Sequence, residues 1–197
     1  AHLFLAENNA ASRVGNLLGD FVTGRPESLR GQFPDPILRG IVRHRAIDRF
    51  TDSHRVTARM KQYVAAPRRR FSGVIADLIH DHFLTRHWTV YHAEALSEFV
   101  ATCNAALREY RPILPPELGE SLEDRIEDRW LEHYGTDDGL DGVFHRIALR
   151  NPLFTPIRDA IEDLQQHRSE FEAGFREFFP DLQAWVKACG PESSILI

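Results

Sequence analysis

Long apolar runs are missing from this chain. No stretch approaches the roughly 20 consecutive apolar residues of a membrane span, and no basic start, apolar run and small-residue cleavage site marks a secretory leader. Cysteine is scarce: Cys103 and Cys189 are the only two. They have no metal-ligand spacing, which is the expectation for reduced thiols in a cytoplasmic protein. Clear strand alternation, internal repeats and low-complexity tracts are absent, so helices must carry the fold. Basic charge is in deficit, with 24 Lys or Arg against 29 Asp or Glu. A net charge of −5 argues against broad coating of nucleic acid. An initiating Met is also lacking, and a few residues are expected upstream of the opening AHLFLA.

What is present suffices for one domain over residues 1–197 with a sizeable core: 43% of residues are hydrophobic and 27% charged. The charges are unevenly placed. Between Arg39 and Arg70 stand ten Lys or Arg against two acids, Asp48 and Asp52, while positions 71–197 hold eleven basic residues against twenty-three acids. The basic segment is either a solvated helix face or a docking patch for an anionic partner. Apolar spacing predicts a first helix through Val14, Leu17, Leu18 and Phe21. A second follows the FPDP stretch and carries Ile37, Ile41 and Phe50. A third carries Phe71, Val74, Ile75, Leu78, Ile79 and Phe83, and a fourth Leu96, Phe99, Val100 and Leu107. RPILPP at 111–116 breaks the chain. Further helices are predicted over 121–134, 138–150 and, after Pro152 and Pro156, a long one over 157–179.

Polar residues can be placed on these helices, since each residue advances about 100°. With Ile41 at the centre of the second apolar stripe, Asp48 and Asp52 fall about 20° to either side and His44 about 60° away. His44 and Asp48, four apart, share a face. Around Leu78, His82 lies about 40° off and Asp81 about 60° the other way, with Asp77 about 100° off, all bordering the core. His80 and His87 point nearly backwards, toward solvent. In the first helix Asp20 sits beside Leu17 and Phe21, with Asn16 one turn earlier. Acids and imidazoles on an apolar face are costly unless paired or metal-bound. Singly, each has an ordinary reading: His82 as a hydrogen-bonded core residue, Asp48 paired with an arginine, Asp20 accepting from backbone amides. Jointly they are the donor types with which helical folds build divalent-metal sites, and Mn²⁺, Mg²⁺, Fe²⁺ and Zn²⁺ all suit them.

Three motifs, GNLLGDFVTG, HRAIDRFTDSH and DHFLTRHW, stand in this order along the chain. Together with the opening AHLFLA and the Phe-rich FREFFPDLQAW, they resemble the acyl carrier protein phosphodiesterase family over nearly the whole chain. That family is regarded as a distant relative of the HD phosphohydrolases, so the resemblance implies an all-α, single-domain helical bundle. It also implies hydrolysis of the phosphodiester linking 4′-phosphopantetheine to a serine of holo-acyl carrier protein, supported by a divalent ion, typically Mn²⁺. Carried over residue by residue, it makes Asp20, His44, Asp81 and His82 the metal ligands. Asp48 then completes the sphere or orients an imidazole, and Arg45 steadies the phosphate as a bidentate donor. The literal pair His80-Asp81 is set aside, because the family motif fixes Asp-His-Phe. His2, in the family-like start, has a supporting role. Acyl carrier proteins are acidic, so the basic segment gains a partner, with Arg49, Arg55, Arg59 and Arg68 to Arg70 as docking residues. Two other readings stay open: an HD-like phosphohydrolase acting on nucleotides or small phosphoesters, and a non-catalytic module binding an acidic protein.

Overall fold

In the computed structural model, which describes residues 1–197, the chain is 76% helical and has no strand, the all-α class expected. The helices used below are α1 (His2–Leu5), α2 (Ala10–Leu18), α3 (Asp35–Ser53), α4 (Ser72–Arg86), α5 (Leu96–Glu109), α6 (Asp137–Arg150) and α7 (Arg168–Ala188). None is long and apolar enough to cross a membrane. Local chemistry sets several boundaries. The Asn9 side chain accepts from the Ser12 backbone N–H at 2.8 Å and starts α2. Thr136 caps α6 by accepting from the Gly139 N–H at 3.1 Å. Asp137 and Asp138 in the first turn of α6 and Arg150 in its last complement the helix dipole.

The chain divides into two compact units. The first comprises Ala1–Phe50, Ser97–Arg129 and Leu182–Ile197, the second Thr51–Leu96 and Trp130–Asp181. In the first unit, Val14, Leu18, Ile37, Leu38 and Ile41 are fully buried. Here α2 and α3 cross with almost no space between them: a Cβ on Gly15 would lie 2.4 Å from the Ile37 carbonyl oxygen and 2.8 Å from the Gly40 Cα. The two glycines permit a backbone approach that brings the end of α2 against the middle of α3. The second unit buries a run of phenylalanines. Phe175 stacks on Phe179 at 5.0 Å between ring centroids and lies 5.9 Å from Phe83.

Several expectations are corrected. The helix predicted over 121–134 is confined to Leu122–Glu127, and Arg129 takes a positive φ of 51°, which ends helical propagation. The helix predicted over 157–179 is divided. A 3-10 turn spans Pro152–Ile157 and a short helix Ile161–Gln166; the chain bends at His167, and α7 then runs on past Pro180 to Ala188. On α4 the buried residues are Ile75, Ala76, Ile79, His80, His82, Phe83 and Leu84, while Leu78 is half-buried and Asp77 exposed. The core face is therefore centred near Ile79, one residue or about 100° from the assumed centre. His80 is consequently a core residue, only 3% exposed, with its ring 4.6 Å from that of Phe178. His87 is half-buried, with Nε2 2.9 Å from Glu172. On α3, Asp52 is exposed and pairs with Lys61 at 2.7 Å, off the apolar face on which the wheel put it.

Candidate functional site

The site builds outward from His44. Its imidazole is buried in the first unit, with a side-chain exposure of 2%. Nδ1 lies 2.6 Å from the backbone carbonyl oxygen of Asn16. A carbonyl only accepts, so Nδ1 carries a hydrogen and Nε2 is the atom turned to the site. Nε2 faces two carboxylates: Asp48 one turn along α3 at 3.1 Å, and Asp20 just past the end of α2 at 3.4 Å. Gly19 makes room for this ring. A Cβ there would sit 2.1 Å from the His44 Cγ and 2.2 Å from its Cδ2, so the glycine of the GDF motif is needed for the imidazole to lie where it does.

His2, on α1, completes the group. Its ring stacks on that of His44 with centroids 3.8 Å apart, and its Nε2 lies 3.1 Å from the second oxygen of Asp48. Asp48 thus bridges two imidazoles. Arg45 donates from Nη2 to the Val22 carbonyl at 2.7 Å and from Nη1 to the Gly24 carbonyl at 2.6 Å, holding the segment that follows Asp20. Gly24, at φ 103°, supplies the left-handed turn this segment requires. The imidazoles are sheltered, whereas the side chains of Asp20 and Asp48 are 63% and 41% exposed. Solvent, or a ligand, reaches the cluster from the carboxylate side.

The electrostatics follow from this arrangement. Burial acts to lower the His44 pKa, but the hydrogen bonds to Asp20 and Asp48 and their negative charge outweigh it and raise it to about 10. Burial acts to raise the pKa of Asp48; its bonds to His2 and His44 prevail and hold it well below the usual carboxylate range. His2 is shifted down, chiefly by burial and against its bond to Asp48. A neutral His44 with its hydrogen on Nδ1 would aim the Nε2 lone pair at two anionic oxygens. That geometry needs positive charge at Nε2, supplied either by a second proton or by a cation. One donor atom from each of His2, His44 and Asp48 lies within 4.8 Å of the others, and imidazole nitrogen with carboxylate oxygen is a donor set suited to Mn²⁺, Fe²⁺ or Zn²⁺. His2 Nδ1 is buried without a hydrogen-bond partner, which leaves a further lone pair in the group. The residues therefore fit a divalent ion.

Of the residues singled out in the sequence, Asp20, His44 and Asp48 come together here, while the Arg45 guanidinium, expected to steady a phosphate, is engaged by the Val22 and Gly24 carbonyls. His2, assigned only a support, is in direct contact with Asp48. Asp81 and His82 belong to the second unit. There His82 is fully buried, its Nδ1 lies 2.8 Å from the Tyr134 carbonyl oxygen, and its Nε2 is 3.9 Å from Asp137, which Arg168 also binds. Burial lowers the pKa of His82. Among the arginines expected to dock a partner, Arg68 is corrected. It is buried and grips Asp163 through Nε at 2.6 Å and Nη2 at 2.9 Å, so it braces the second unit.

Helices alone, with an oriented imidazole set against carboxylates, define an all-α protein bearing a histidine–carboxylate cluster. Comparison with known proteins gives the family. The family model for acyl carrier protein phosphodiesterase matches residues 1–182. A protein of that name from Enterobacter sp. (strain 638) is 34% identical over 188 residues, covering 95% of this chain and 96% of its own length. One from Salmonella dublin is 34% identical over 185 residues, 93% of this chain and 94% of its own. One from Klebsiella pneumoniae (strain 342) is 33% identical over 183 residues, 92% and 93%. The chain belongs to the acyl carrier protein phosphodiesterase family. No solved structure matches it.

Proposed function

We propose that this protein is a metal-dependent hydrolase of the phosphodiester joining 4′-phosphopantetheine to a serine of holo-acyl carrier protein, acting in the cytoplasm. The observation that supports it most directly is the His44 imidazole, locked by Asn16 with Nε2 toward Asp20 and Asp48, in a chain that belongs to this family. We place a divalent cation, Mn²⁺ first among them, on His44, Asp48 and His2, with Asp20 as the remaining carboxylate. When bound, such an ion polarises phosphoryl oxygens and lowers the pKa of a coordinated water toward neutrality.

The chain's own groups supply the rest. Asn16 holds the proton on Nδ1 of His44 and so keeps Nε2 open to the cation. Asp48, between two imidazoles, fixes both rings. Asp20, the most exposed of the four, stands where a phosphate group enters and is the carboxylate best placed to take or give a proton at the reacting oxygens. Arg45 keeps the 22–24 turn, and with it Asp20, in register.

Incubating holo-acyl carrier protein with the protein, with Mn²⁺ or with chelator, and weighing the carrier by mass spectrometry tests the reaction. Metal-dependent loss of the phosphopantetheine mass is expected. No loss under any divalent metal with folded protein overturns the reading. Equilibrium Mn²⁺ binding places the ion: affinity lost in His44→Ala and kept in His82→Ala assigns it to the first unit. The reverse pattern assigns it to Asp81 and His82, two of the four ligands that the resemblance implied.

A further inference from the structure

Residues 190–197 lie beyond the family match, which ends at residue 182, yet they reach the support of His44. Gly190 turns the chain with φ 71°, and a 3-10 turn over Glu192–Ser194 follows. Two arginines of α3 hold this strap in place within the first unit. Arg43 donates from Nη2 to the Gly190 carbonyl at 2.6 Å, and Arg39 from Nε to the Ile195 carbonyl at 3.4 Å. Glu192 turns inward and is only 5% exposed. Its Oε1 accepts from the Ser12 hydroxyl and from Asn16 Nδ2, both at 2.8 Å. Its backbone N–H donates to Glu7 Oε1 at 2.6 Å, just past the helix that carries His2.

Burying a carboxylate costs desolvation, which its bonds to Ser12 and Asn16 offset in part. Its partners are not arbitrary core groups. Asn16 is fully buried, its side chain is tied to Glu192, and its main-chain carbonyl receives the His44 Nδ1–H. Glu7 stands two residues beyond the end of α1, whose first residue, His2, stacks on His44. One carboxylate and one backbone N–H of the strap thus clamp the segments behind both imidazoles.

We propose that Glu192 is a positioning residue for the His2–His44 cluster: through Asn16 it fixes which nitrogen of His44 carries the proton and where the other one points. The inference rests on the reading of this cluster as a cation site. Outer groups that orient a metal-bound histidine typically affect metal affinity by about 10–100-fold, and the strap is such a support delivered from far along the chain.

Three variants test it. Glu192→Gln keeps Oε1 as an acceptor for Ser12 and Asn16. Glu192→Ala removes it, and Glu192→Asp keeps the charge but withdraws it by one methylene. On metal-free protein, ¹⁵N-resolved NMR of the histidine rings reads whether the His44 Nδ1–H is held and slow to exchange; Mn²⁺ affinity is read by electron paramagnetic resonance. Glu192→Gln is expected to match the unaltered protein in both. Glu192→Ala is expected to lose the slow Nδ1–H signal and to bind Mn²⁺ about tenfold more weakly, with kcat lowered and KM for the carrier protein unchanged. If Glu192→Ala does not fold, Glu192→Asp decides, with the same direction of change expected. A folded Glu192→Ala or Glu192→Asp with an unaltered Nδ1–H signal and Mn²⁺ affinity overturns the proposal. The NMR measurement uses neither metal nor substrate, so it stays decisive if the protein proves inactive on holo-acyl carrier protein, a result that would fall on the functional reading alone.

Discussion

At the scale of the residue, two substitutions separate what the site needs from what the core tolerates. Gly19→Ala places a methyl group about where the His44 ring now lies, and neither Asn16 nor Asp48 leaves that ring another position with both contacts intact. Activity is expected to fall by at least about a hundredfold, the order seen when positioning near the chemistry slips, while circular dichroism still shows a helical protein; a Gly19→Ala variant of ordinary activity would mean that His44 is not held as described. His80 makes the opposite case. Burial, aided by the charge of Lys61, pushes its pKa down to about 3, and neither ring nitrogen has a hydrogen-bond partner. In the unfolded chain its pKa returns to about 6.5. The folded state therefore binds fewer protons, and the contribution of His80 is intact above pH 6.5 and lost as pH falls toward 3, at about 1.4 kcal/mol per unit. His80→Leu is expected to flatten the fall of stability between pH 6.5 and pH 4 in urea titrations and to raise stability at neutral pH. An unchanged slope would show that His80 is not the group responsible. These residues differ in legibility. His44 and Asp48 could be read because four-residue spacing puts them on one face, and Asp20 because it follows an apolar stripe. Gly19 has no side chain to signal its role, and His2 precedes any periodic segment, so its stacking on His44 arises only when α1 folds back.

At the scale of the element, apolar period located α2, α3, α4 and α5 but failed where burial is not one-sided. On α4 the buried face is broad, running from Ile75 and His82 on one side of Ile79 to Ala76, Phe83 and His80 on the other, so no narrow stripe shows its centre. The division of the last predicted helix at His167 has no Pro or Gly to announce it, and Pro180, which looks like a terminator, lies inside α7. The crossing of α2 and α3 was equally hidden, since it depends on Gly15 and Gly40 meeting across two helices. It carries a prediction. Ala in place of Gly gains about 1 kcal/mol of helix propensity, but at Gly15 the new Cβ meets backbone atoms that cannot move without parting the helices, and overpacking costs about 1–3 kcal/mol. Gly142, inside α6, is the control: its Cβ would meet only the Arg146 guanidinium at 3.3 Å, a flexible end that can swing away. Thermal unfolding is expected to show Gly142→Ala at or above the parent Tm and Gly15→Ala several degrees below it, the latter also losing activity because Asn16 and Asp20 ride on the displaced end of α2. Equal shifts would deny the close crossing.

At the scale of the whole molecule, charge along the sequence and charge in the fold are different quantities. The segment from Arg39 to Arg70 is strongly basic as a string, but the fold brings distant acids to it, Glu177 to Arg55 and Arg59 and Asp163 to Arg68, while Asp52 within the segment pairs with Lys61. Partners 95 and 118 residues away leave no local pattern to read. Arg49 and Arg69 remain exposed, and these are the residues to test as contacts for an acidic carrier protein. Attraction between exposed charges is screened within about 10 Å at 0.1 M salt. Steering by either arginine therefore predicts that kcat/KM on holo-acyl carrier protein falls by about tenfold from low to high ionic strength while kcat stays level. Charge reversal at Arg49 or Arg69 should raise KM and weaken that salt dependence without changing stability. Reversal at Arg68, whose guanidinium is buried against Asp163, should instead lower Tm. A flat salt profile, or a KM indifferent to both exposed arginines, would place the carrier protein on another surface.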